Sequence, residues 1–300
     1  MTSEEVRKTQ KGRAVRRIAF GLVVLIIVGG VASWIAGGQL IAPRNQSIGI
    51  PPEEFPATSF TLHSESGSTI QGWHLVAEKS DGVVVLLHPI GGSRRSMLGR
   101  ALLLKQHGYS VVMIDLQAHG ESSGDEITLG HREKHDASAA VEFAREKHPG
   151  EPIGVIGVSL GGASALFASP LDIDALVLES VYPDVQRAVH NRVAARLGAL
   201  ATIPTELLLA QLQPRLGISA SDLRPIDSMP EVGCPVFVIS GDEDAHTTAS
   251  ETEEMFHAAK EPKSLWLVDG AAHVNLHEAA TEEYEQRVLE FLERHLRGIK

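Results

Sequence analysis

The longest uninterrupted apolar stretch of the chain lies near its start. Residues 18–43 carry no charged side chain, and residues 18–36 are almost entirely apolar. A helix rises 1.5 Å per residue, so about 20 such residues cross the hydrocarbon core of a bilayer. Six basic side chains against two acidic ones precede the stretch, and Glu53 and Glu54 follow it. That bias predicts a cytoplasmic N-terminus, with the bulk of the chain outside the cytoplasm. A basic start, an apolar run and small residues such as Ala32 and Ser33 also describe a signal peptide, which would leave a secreted protein. The apolar run is longer than the ~7–15 residues usual for such a peptide, which favours a retained anchor. The expected division is a basic tail at 1–17, a transmembrane helix at 18–41, a proline-rich linker at 42–57 and one domain at 58–300.

Beyond the linker the pattern changes twice. Residues 60–63 and 69–76 alternate about Ser66-Gly67, which predicts a hairpin. Short, continuously apolar runs then recur at 83–88, 111–116, 153–156, 175–178, 236–240 and 265–268. Helical patterns lie among them at 96–107, 133–147, 252–259 and 282–296. Apolar strands separated by helices predict an α/β fold with a mostly parallel sheet, covered on both faces by flanking helices.

One interval breaks the rhythm. Residues 181–232 show helical pattern and no convincing strand, and 197–212 are dense in Ala and Leu. A helical insertion at the carboxyl edge of such a sheet is expected to lie over a site as a lid. A packing pair of helices is a compatible reading.

Composition narrows the function. The net charge is −11, yet residues 1–17 are net basic, so the remainder is more acidic than the total. No Lys/Arg stripe with interleaved aromatics occurs, and nucleic acid is not an expected partner. Cys234, the one cysteine, allows no internal disulfide and reads as a buried structural thiol. Asp242, Glu243, Asp244 and His246 lack a second His/Cys set, so neither a metal nor another cofactor is expected.

The chemistry concentrates at Gly157-Val158-Ser159-Leu160-Gly161, between an apolar strand and a small-residue helix. A serine at a tight strand-to-helix turn needs small neighbours, and its hydroxyl then stands clear at a helix N-terminus. There the Leu160 amide is placed to meet a developing oxyanion. A serine hydroxyl needs a base, and the base an orienting acid. His273 follows the strand at 265–268 in the small-residue loop Gly270-Ala271-Ala272, with His277 as runner-up. The acid is left among Asp244, its loop neighbours Asp242 and Glu243, and Glu179 at another strand end. The loop His88-Pro89-Ile90-Gly91-Gly92 follows the first long strand. Pro89 has no N–H, so Ile90 is the candidate second oxyanion donor. Arg94 and Arg95 beside that loop read either as an anion-recognition pair or as a solvated helix start.

Together these motifs resemble the α/β-hydrolase superfamily, and within it the serine aminopeptidase S33-like bacterial hydrolases. The residues that carry the resemblance are the 88–92 loop, Gly108-Tyr109, the segment 115–122 with His119-Gly120, the Ser159 turn, the 241–244 loop and His273. They extend from about residue 58 to the C-terminus. The resemblance implies Ser159 as nucleophile, Asp244 as orienting acid and His273 as base, with Leu160 and Ile90 amides as the oxyanion hole. It departs from the family pattern at Pro89, where glycine is usual, and at Gln117-Ala118, where Arg-Gly is usual. The implied function is a membrane-anchored serine hydrolase acting on carboxylic esters through an acyl-enzyme, with a small-molecule or lipid-like acyl substrate. An aminopeptidase or thioesterase of the same fold is the alternative enzyme. A membrane-tethered, non-catalytic binding domain is the alternative of another class.

Overall fold

The computed structural model describes residues 3–298, with side chains described from residue 16 to residue 298. The apolar stretch is part of one long helix, α1 (Ser3–Ile41). Its segment Arg16–Ile41 is long and apolar enough to cross a membrane, and little of it is covered by protein. The backbone then runs along the body. β1 (Arg44–Asn45) and Phe55, which is fully buried, fix residues 42–57 to it.

The body is an eight-stranded sheet. In chain order its strands are β2 (Thr58–His63), β3 (Thr69–Leu75), β4 (Val83–Leu87), β5 (Ser110–Ile114), β7 (Ile153–Val158), β8 (Ala175–Glu179), β9 (Val236–Gly241) and β10 (Lys263–Val268). The two-residue β6 (His119–Gly120) pairs in parallel with β1, outside the main sheet. The spatial order is β10-β9-β8-β7-β4-β5-β3-β2. The pairs from β10 to β5 are parallel, and the β2–β3 hairpin closes the edge antiparallel. This is the α/β-hydrolase architecture, with helices on both faces of the sheet.

Alternation within β4 shows why both faces are covered. Val83, Val85 and Leu87 join one core layer with α3 (Glu133–Lys147) and α4 (Leu160–Phe167). Val84 and Leu86 join the opposite layer with α2 (Leu98–Gln106) and α11 (Thr281–Leu296). A strand with period-two side chains and two apolar faces has to be sandwiched. α11 buries Tyr284, Val288, Phe291, Leu292 and Leu296 along one stripe, the spacing of a helix face laid on a sheet. The helix expected from residue 96 begins as a 3₁₀ turn, Arg94–Met97, and becomes α-helical at Leu98.

Between β8 and β9 lie α5 (Val185–Leu197), α6 (Thr202–Leu209), α7 (Leu212–Leu216) and α8 (Pro225–Ser228). Asp184 caps α5 by accepting from the Arg187 amide at 2.8 Å. α6 packs against α1. The remaining helices, α9 (Ala249–Ala258) and α10 (Leu276–Ala279), follow β9 and β10.

Candidate active site

Ser159 joins β7 to α4 with φ 48° and ψ −107°, a backbone conformation that costs a non-glycine residue about 1–3 kcal/mol. The surrounding glycines make it possible. A Cβ on Gly157 would stand 2.5 Å from the Gly162 Cα, and one on Gly161 would stand 2.5 Å from the Leu87 carbonyl carbon. The turn therefore lies flat against β4. The Ser159 amide donates to the Glu179 carbonyl at 2.8 Å, which locks the turn to β8.

Strand-end hydrogen bonds continue from there toward the acid. The Ser180 amide donates to the Ile239 carbonyl at 2.8 Å, and the Thr247 hydroxyl donates to the Ser180 carbonyl at 3.2 Å. The Thr247 and His246 amides donate to Asp244 Oδ1 at 2.9 and 2.8 Å. Asp244 Oδ2 faces His273 Nδ1 at 2.7 Å. Burial by itself would raise the Asp244 carboxyl. The His273 hydrogen bond and charge, with the two amides, outweigh it and hold the group below the usual carboxylate range. An ionised Asp244 at that distance fixes the proton of His273 on Nδ1 and frees Nε2 to act as a base. No hydrogen bond joins Ser159 Oγ to His273 among the described residues.

The other sequence candidates are accounted for elsewhere. Asp242 and Glu243 are exposed, whereas Asp244 is buried. Glu179 is buried against Arg100, whose Nε lies 2.9 Å away, and accepts from the Tyr284 hydroxyl. His277 pairs with Glu285 at 3.0 Å. Arg94 is turned into the fold, ion-paired with Asp115 and Glu121 and stacked over Trp73. It is a buried structural cation, which corrects the reading of Arg94 as an anion-recognition group. Cys234 is half-buried, and burial pushes its thiol up to about 12.

The loop after β4 is held by His88, a residue that sequence reasoning quoted without a role. The Leu116 amide donates to His88 Nε2 at 3.0 Å, so Nδ1 carries the proton and donates to the Pro89 carbonyl at 2.8 Å. Burial, with the neighbouring His119, pushes its pKa down to about 3, so the ring stays neutral. The Gly92 amide donates to the same Pro89 carbonyl at 3.0 Å. Pro89 thus serves as an anchored corner, and Ile90 lies on its outer side, 39% exposed. Ala118 adopts φ 57° where the family usually has glycine, and the Gln117 side chain donates to the Glu126 carbonyl and to Glu133. Gln117 ties its loop down by neutral and charge-assisted hydrogen bonds.

A cavity of about 760 Å³ opens over the turn. Ser159, Leu160, Ile90 and Gly91 form part of its wall, and most of the rest comes from α5, α6, α7 and the end of α1, with Arg44, Leu129, Tyr182 and Gln211 between them. Neither Asp244 nor His273 is among its lining residues. Thr247, which orients Asp244, and the end of α1 were both missed by sequence reasoning. The Thr247 hydroxyl reaches the Ser180 carbonyl and the end of α1 reaches Gln211, contacts between segments distant in sequence.

Residues 78–227 match the family model described as serine aminopeptidase, S33. The chain belongs to this family. It is a serine hydrolase of α/β-hydrolase fold. Among curated relatives it is similar to the uncharacterized Bacillus subtilis protein YqkD, 25% identical over 249 residues that cover 80% of this chain and 81% of the relative. An uncharacterized Mycobacterium tuberculosis protein is 27% identical over 262 residues, covering 84% and 86%. Among solved structures, the Pyrococcus furiosus esterase PF2001 superposes with a TM-score of 0.70 at 26% identity, covering 85% of this chain and 99% of that one. The α/β hydrolase GrgF from Penicillium superposes with a TM-score of 0.64 at 20% identity, covering 81% and 99%, and shares the fold.

Proposed function

We propose that the protein is a membrane-anchored carboxylic-ester hydrolase in which Ser159 is the nucleophile, His273 the general base and Asp244 its orienting acid. The observation that carries this reading is the 2.7 Å pairing of His273 with a buried Asp244, in the loops after β9 and β10 at the same sheet edge as the strained Ser159 turn after β7. His273 Nε2 takes the Ser159 proton as Oγ attacks the ester carbonyl. The oxyanion forms against the amides of Leu160 and Ile90, for which the described residues offer no other acceptor. His273 then protonates the departing alkoxide, and a water activated by the same nitrogen hydrolyses the acyl-enzyme. α1 anchors the chain with its basic end in the cytoplasm and the catalytic body outside. The helices between β8 and β9 act as a lid over the cavity.

The cavity wall favours an ester over an N-terminal peptide. An aminopeptidase has to hold a substrate ammonium, usually on a carboxylate. The wall holds four arginines and no Asp or Glu. The esterase designation of the Pyrococcus protein points the same way.

The test is turnover by the full chain in bilayer nanodiscs, with p-nitrophenyl octanoate against leucine p-nitroanilide. The ester is expected to exceed the anilide by at least about 100-fold in kcat/KM, a preference of a few kcal/mol in the transition state. Faster cleavage of the anilide would overturn the ester reading in favour of an aminopeptidase.

A further inference from the structure

The end of α1 is built into the cavity. Ala36, Gln39, Leu40 and Ile41 lie in its wall. The contact is specific as well as apolar. Gln211 Nε2 on the α6–α7 connection donates to the Ser33 carbonyl at 3.1 Å and to its hydroxyl at 3.0 Å. The Arg215 guanidinium lies 3.8 Å from the centroid of the Trp34 ring and donates to the Trp34 carbonyl. The Ile127 amide donates to the Ile41 carbonyl at 2.8 Å. The apolar surface of α1 continues on the exposed Leu197, Leu200, Ile203 and Leu207 of the adjoining α5–α6 segment. If α1 spans a bilayer, the rim of the cavity lies at its surface.

The charge of the wall is one-sided. Arg44, Arg192, Arg196 and Arg215 line it, and no carboxylate does. Among the described residues none of the four makes an ion pair with a carboxylate. Arg192 is partly buried, and its one described hydrogen bond runs from Nη1 to the Ala188 carbonyl at 2.9 Å. Arg44 and Arg196 are exposed, and the charges of Asp244 and Glu251 act on the half-buried Arg192 from beyond ion-pair distance. The guanidinium groups therefore keep donors free for a ligand, and their geometry suits phosphate and carboxylate oxygens. The remaining wall, with Val185, Val189, Leu208, Leu212 and Leu216, suits alkyl chains.

We propose that the cavity binds an anionic amphiphile, an alkyl or acyl chain bearing a phosphate or carboxylate, received from the bilayer beside α1. This deepens the reading of Ser159 as nucleophile and rests on it only for which bond is cut. Binding itself does not require that reading. The alkyl chain lies along α5 and α7, and the anion meets Arg192 and Arg196 at the rim. A volume of about 760 Å³ lies within the range that holds such a ligand.

The test uses the full-length Ser159→Ala chain in phosphatidylcholine nanodiscs, so that binding is read whether or not Ser159 is the nucleophile. Calorimetric titrations, corrected with empty nanodiscs, compare dodecyl phosphate, dodecylphosphocholine and inorganic phosphate. Dodecyl phosphate is expected to bind at least about tenfold tighter than either of the others, one good charge-assisted contact's worth. In an Arg192→Gln/Arg196→Gln background the preference over dodecylphosphocholine is expected to fall to near unity. Equal affinity for the two dodecyl compounds would overturn the proposal, as would a preference that survives the double substitution. Inorganic phosphate binding as tightly as dodecyl phosphate would overturn the amphiphile. Failure of the double variant to fold leaves the three-ligand comparison on the parent chain to decide.

Discussion

Alanine in place of Ser159 or His273 is expected to lower kcat/KM for an ester by about a millionfold, and alanine at both positions by no more. In the proposed mechanism nucleophile and base act as one unit. Without His273 the hydroxyl keeps its proton, and without Ser159 the base has nothing to activate. Asp244→Asn is expected to cost about 10⁴-fold, because an amide facing His273 Nδ1 at 2.7 Å favours the wrong tautomer. Asp242→Asn and Glu243→Gln, at exposed positions of the same loop, are expected to stay within about twofold. Steady-state kinetics on the six variants check the set. Additive losses at Ser159 and His273, or a loss at Asp242 equal to that at Asp244, would contradict the assignment.

The second large effect is structural. Gly161→Ala is expected to destabilise the fold by about 3 kcal/mol, as overpacking against rigid backbone does, even though alanine is the better helix former. The added Cβ would lie 2.7 Å from the Leu87 Cβ and 2.5 Å from its carbonyl carbon, on a central strand that cannot give way. For a domain of this size that corresponds to a fall of roughly 6–12 °C in melting temperature. Relief by moving the turn would displace the Leu160 amide and lower kcat by about 100-fold. Gly233→Ala, whose Cβ meets nothing within 4 Å, serves as the control and is expected to shift stability by less than about 0.5 kcal/mol. An unchanged melting temperature for Gly161→Ala would show that the turn is not packed as tightly as described.

The sheet was legible because its strands are apolar on both faces, as the alternating burial of Val83–Leu87 explains. The Ser159 turn was legible because its glycines are a local steric requirement. The carboxylate that pairs with His273 was less so. Three carboxylates stand together at 242–244, and burial and direction, which sequence does not carry, separate Asp244 from the others. Arg94 illustrates the reverse error, since a cation beside a candidate oxyanion loop gives no sign of the buried Asp115 that holds it. The apolar pattern of α1 showed that it is long enough to span a bilayer. That its last turn walls the cavity depends on Gln211 and Arg215, some 180 residues away. His119-Gly120, too short for any periodic signal, forms the β6 pairing that holds Arg44 and Asn45 to the body.

The measurement that bears most directly on the central claim is covalent labelling of the full chain in nanodiscs with a fluorophosphonate, followed by mass mapping of the adduct. The account predicts one phosphonyl group per chain, on the peptide that carries Ser159. It also predicts that labelling is lost in Ser159→Ala and in His273→Ala while both variants keep their melting temperature. A folded parent chain that takes no label, or takes it on another serine, would contradict it.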